Sequence, residues 1–90
     1  MLPSNLELVE GSATALTTTL SNSDCRMLSD LGADTSDCLN RNCEIRFYSV
    51  NDYIQNEISH YIFIFADGEL VAHAKLEDEK VRTELITKLN

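Results

Sequence analysis

Basic side chains are scarce in this chain: 7 Lys and Arg stand against 15 Asp and Glu, a formal charge of −8 over 90 residues. Phosphate backbones and anionic lipid are held by clustered Lys and Arg, so this balance argues against direct nucleic-acid binding. It leaves room for a basic protein partner, and otherwise serves solubility. Glycine is just as sparse. Gly11, Gly32 and Gly68 are scattered, which excludes a Gly-rich phosphate loop. No apolar run nears the roughly 20 residues of a membrane span. The longest, residues 61–66 (Tyr-Ile-Phe-Ile-Phe-Ala), has the length of a buried strand. Met1-Leu2-Pro3-Ser4-Asn5 carries no basic region, and Glu7 and Glu10 interrupt any apolar stretch. No secretion signal is read there, and the expected compartment is the cytoplasm. The cysteine count is odd, with Cys25, Cys38 and Cys43, so complete pairing within one chain is excluded and a reducing compartment fits best.

What is present is enough for one domain over residues 1–90, with neither repeat nor linker. The hydrophobic share of 43% is that of a globular protein. A domain of this length has little stability to spare, so a protein partner or a homodimer can matter to it.

The clearest pattern lies in the second half. Residues 61–66 are β-branched or aromatic except the last, as in a strand buried on both faces. Asp67-Gly68 tolerates positive φ at both positions of a tight turn, so a two-residue hairpin is predicted. In the returning strand, residues 69–75, Leu70, Ala72 and Ala74 share one side, and Glu69, His73 and Lys75 the other. The period then lengthens to about 3.6. Val81, Leu85 and Leu89, widened by Ile86, predict an amphipathic C-terminal helix whose first turn takes Glu77, Asp78 and Glu79. Asp78–Arg82 and Glu84–Lys88 are spaced to pair along it. Upstream, residues 43–50 alternate as a strand with Ile45, Phe47 and Ser49 on one face; Asp52 can cap a helical turn over residues 53–58. Residues 6–9 and 14–20 read as strands, the second with Thr14, Leu16, Thr18 and Leu20 on one side. Residues 21–24 offer N-caps for a helix over 25–31 that Gly32 ends, and residues 33–42 read as a loop or a further helical turn.

Residues 60–72, an apolar strand running into Asp67-Gly68, resemble the thioredoxin segment that follows that family's cis-proline. Cys25-Arg26-Met27-Leu28 is similar to the close of its Cys-Gly-Pro-Cys motif, and the strand ending in Val50-Asn51-Asp52 sits near its Val-Asp-Val-Asp. The resemblance implies a thioredoxin-like α/β fold: a mixed sheet with a C-terminal hairpin and helix. Its chemistry is missing. Asn22 stands where the attacking cysteine would be, and Ser59-His60 stands at the cis-proline position, where a cis bond before a non-proline costs about 2.5–4 kcal/mol.

A cysteine at a helix N-terminus is acidified by backbone N–H groups, which makes Cys25 the sharpest reactive candidate; Asp24 opposes the effect. The alternative is a small buried hydrophobe. Cys38 and Cys43, at C-x4-C spacing, lack the second close pair of a zinc site, so neither metal nor cofactor is expected. His60 and His73 fall on opposite strands of the hairpin, with His73 solvated and no nucleophile placed beside either. The expectation is a non-enzymatic module that binds another protein. Its surface joins Asn22, Ser23, Asp24 and Cys25 to Ser59 and His60, which cluster in the thioredoxin fold. The alternatives are a single-cysteine redox protein using Cys25 and, from size and charge, an acidic nucleic-acid mimic of viral or phage origin.

Overall fold

Alternation and turn chemistry build a five-stranded sheet, which the computed structural model describes over residues 5–90. Met1 to Ser4, part of the N-terminal stretch read as carrying no secretion signal, lie outside the described residues. In chain order the elements are β1 (Leu6–Leu8), β2 (Thr14–Thr19), α1 (Asn22–Asp30), β3 (Asn42–Asp52), β4 (Glu57–Ala66), β5 (Glu69–Leu76) and α2 (Glu79–Leu89). β1 and β2 share one edge of β3, β1 against residues 50–52 and β2 against residues 42–47. β4 and β5 follow on the other side as a meander. All four pairings are antiparallel, so the mixed sheet that the thioredoxin resemblance implies is not what these residues form. Two hairpins and the short return through α1 each bring the chain back beside the strand it has left, which imposes antiparallel neighbours.

The predicted hairpin forms. Asp67 and Gly68 have φ of 52° and 79°, the two positive values of a turn whose twist matches its strands. Beyond it the register slips. Phe65 faces Leu70, yet Ile64 faces Ala72, leaving Val71 as a bulge. The extra residue turns Leu70 outward, 50% exposed, while Ala72, Ala74 and Leu76 are buried. The single side predicted for Leu70, Ala72 and Ala74 is therefore corrected. Residues 53–58 are likewise not a helical turn. Asp52 Oδ1 accepts from the N–H groups of Ile54 and Gln55 at 3.0 and 3.1 Å, and Asn56 takes a φ of 54°. This closes a second hairpin, in which β4 starts at Glu57. An aspartate side chain caps either structure, and the ten-pair β3–β4 ladder decides between them.

Both helices cover one face of the sheet. Cys43, Ile45 and Phe47 of β3, and Ile62, Ile64 and Ala66 of β4, form a single core with Cys25 and Leu28 of α1 and Leu85 and Leu89 of α2. Each large apolar side chain sealed there contributes about 1.5–3 kcal/mol. β4 is thus covered on one face rather than two, since Tyr61, Phe63 and Phe65 remain half-buried on the other. The helices are placed by their ends. Ser21 caps α1 in a reciprocal box with Asp24. Gly32, at φ 103°, ends it, with its N–H bonded to Ser29 and that of Ala33 to Leu28. Asp78 lies one position before α2 and accepts from the Val81 N–H at 2.9 Å. Arg82 instead donates to the Ser12 carbonyl at 2.6 Å and to Thr14 Oγ1 at 3.2 Å. Neither pair predicted along this helix forms among the described residues.

Candidate functional site

The residues expected to form one binding surface are dispersed. Asn22 and Ser23 are exposed in the first turn of α1, Asp24 is occupied by the cap, and Cys25 is buried. That turn follows β2 at the end paired with Asn42, whereas Ser59 pairs with Val50. Eight residues of β3 separate those two register positions, about 26 Å of strand. Ser59 and His60 also point to opposite faces: Ser59 with Val50 away from the helices, His60 with Ser49 toward them.

The three cysteines are free and buried, Cys38 and Cys43 completely. Burial pushes the Cys25 thiol up, Asp24 adds to the effect, and a hydrogen bond from Thr35 only partly offsets both. Burial likewise raises Cys43, and with its two cysteine neighbours lifts Cys38 to about 11. Each is held as the unreactive thiol. Cys38, expected in a loop, and Cys43, near the start of β3, are both core residues. The segment after α1 folds beneath it, with the Thr35 hydroxyl donating to the Cys25 carbonyl at 3.2 Å.

His60 does have a neighbour that the sequence did not place. Its Nδ1 lies 2.6 Å from Ser49 Oγ, across the β3–β4 ladder. The serine is 4% exposed, and its backbone N–H and carbonyl are both engaged by the Ser12 hydroxyl. A nucleophile must reach its substrate, and this hydroxyl faces the interior. Glu79 and Arg82 complete a cleft of about 310 Å³ around the pair. Arg82 is spent on tying α2 to Ser12 and Thr14, so the group reads as a polar clasp between α2 and the edge of the sheet.

The face away from the helices is a different matter. Leu6 and Leu8 of β1, Tyr48 and Val50 of β3, and Tyr61 and Phe63 of β4 line an almost wholly apolar hollow of about 560 Å³. Register explains it. Leu8 lies opposite Val50 and Tyr48 opposite Tyr61, so three strands send large side chains to one side at one level. Phe63 packs edge-on to Tyr48 at 5.8 Å and stacks on Tyr61 at 6.3 Å, which fixes the walls. Ser59, cross-strand from Val50, is buried beside it with its hydroxyl unpartnered. Along the same face Arg46 lies over the Phe65 ring at 4.6 Å and pairs with Glu44. Lys75 pairs with Glu57 at 3.6 Å. Of the predicted binding residues, only Ser59 adjoins this hollow.

Among the described residues no group of three or more Cys, His, Asp or Glu is arranged to hold a metal ion. No helix among them is long and apolar enough to cross a membrane. Comparison of the chain with protein-family models, curated proteins and solved structures finds no match.

Proposed function

We propose that this chain is a non-enzymatic module that binds protein through the open face of its sheet. The observation that carries the reading is the aromatic-walled hollow between β1, β3 and β4. An antiparallel sheet with one solvated face ordinarily sends polar residues outward. Here Tyr48, Tyr61, Phe63 and Phe65 stand at those positions, and Leu8 and Leu70 are about half exposed. Covering one such side chain contributes about 1.5–3 kcal/mol, so a partner that fills the hollow gains several kcal/mol from a few residues.

Aromatic sheet faces also stack bases, but holding nucleic acid requires free cations to neutralise phosphates. On this face Arg46 and Lys75 are each already paired with a glutamate. From the thioredoxin resemblance the reading retains only the hairpin and its helix, and the loss of chemistry at Asn22 and Ser59-His60. Three thiols raised by burial favour neither dithiol exchange nor a sensor at Cys25, and they suit a reducing, cytoplasmic setting.

The test is retention of protein by the immobilised chain compared with its Leu8→Glu variant, which places a charge at the mouth of the hollow. Loss of retention in a variant of unchanged circular dichroism is the expected result. Equal retention by both, or reduction of insulin disulfides by the purified chain, would overturn the reading.

A further inference from the structure

Resting on the reading of the open face as a protein-binding surface, we infer that the protein it takes is a second copy of this chain, packed face to face about a two-fold axis that runs across the strands. Three observations carry this.

The first is how charge is divided. The outward positions of the sheet hold Arg46 and Lys75 against Glu44, Glu57 and Asp52, and four of these five are joined in two ion pairs. The face is therefore nearly neutral in a chain of charge −8. Most of the acidic surplus lies on the helices and loops, for example Asp30, Asp34, Asp37, Asp78 and Glu84. Two copies repel least when they meet through this face and turn their acidic sides away, where salt screens them.

The second is that its two ends are unlike and complementary. One end holds the hollow and the Lys75–Glu57 pair. The other holds protruding Leu70 and Phe65 with the Arg46–Glu44 pair. A two-fold axis across the strands lays each end on its opposite. Because such an axis keeps each strand over its own counterpart, Phe65 of one copy then meets the β4 wall of the hollow in the other, near Tyr61. Such a contact is isologous and closes on itself.

The third is area. Ten-residue β4 sets a length of about 33 Å and four strand positions a width of about 19 Å. Two such faces cover roughly 1,250 Å², at the lower limit of specific interfaces. The geometry points to a reversible dimer rather than an obligate one.

Sedimentation velocity of the purified chain, from low to high micromolar concentration, provides the test. Alongside it run Leu8→Glu at the hollow and Leu70→Glu at the ridge, both at exposed sites that the fold tolerates. A doubling of mass with concentration is expected, with each variant weakening self-association at least tenfold, about 1.4 kcal/mol. A monomer at every concentration overturns the inference. So does a dimer that neither variant weakens. If the chain stays monomeric but still retains a different protein in a Leu8-dependent manner, self-pairing fails while the open-face reading stands. If Leu8→Glu alters neither, both fail together.

Discussion

On β4, Ile62, Ile64 and Ala66 are sealed, while Tyr61, Phe63 and Phe65, one step along the same strand, stay half-exposed. Both sets are apolar, so hydrophobicity does not divide them. The division comes from outside the strand. α1 and α2 both pack on the side of Ile62 and Ile64, and among the described residues no helix lies over the aromatic side. Strand alternation tells which residues share a face; what covers that face is settled by elements remote in sequence.

The sharpest way to break this contrast is to truncate one ring on each side. Phe47→Ala, at a fully buried position, is expected to cost about 3–5 kcal/mol, near the whole stability of a small domain. Phe63→Ala should cost less than half as much in dilute solution, since its ring already meets water. Urea denaturation reads both, and equal losses would erase the distinction between the faces.

The buried thiols sharpen the same contrast through pH. Cys38 is raised from 9.0 to about 11, so the folded chain keeps a proton there that the unfolded chain gives up. The stabilisation is complete below pH 9.0 and is lost as pH rises toward about 11. The expected slope from Cys38 is about 1.4 kcal/mol per pH unit in that window, and Cys38→Ala should flatten it. Thermal melts across that range check the sign; stability rising there would contradict the placement of Cys38 in the core.

Two smaller effects probe what holds the faces apart. Gly68→Ala meets no steric obstacle but must adopt a φ of 79°, and is expected to lose about 1–2 kcal/mol by thermal unfolding. Asp78→Ala removes the cap of α2 and should cost about 1 kcal/mol. By loosening the cover of the covered face, it should speed amide exchange in β5 ahead of β1. Smallest of all, Leu70→Glu should change folding stability by less than about 0.5 kcal/mol, because its effect is reserved for association.

Local chemistry made the C-terminal half legible. Asp67-Gly68 specifies its turn by backbone conformation alone, and the stripe of Val81, Leu85 and Leu89 needs no distant partner to be recognised as helical. Val71 shows where that reasoning runs out, since a bulge has no compositional mark and yet moves Leu70 from the core side to the open side. The turn after Asp52 was ambiguous because the same carboxylate caps a helix or a hairpin. Cys38 was misplaced for a related reason. Its polar surroundings read as an exposed loop, while the fold tucks that loop under α1. The candidate site was the least legible part. The hollow takes its walls from three strands whose register is nonlocal, and only Ser59 among the expected residues stands near it.

Hydroxyl-radical footprinting at two protein concentrations tests the central contrast most directly. In dilute solution Tyr48, Tyr61 and Phe63 should be oxidised readily while Phe47 is spared, and at high concentration the first three should become protected. Oxidation of Phe47 at the rate of Phe63, or aromatic rings on the open face that are shielded even when dilute, would contradict an architecture with one covered side and one side free to receive a partner.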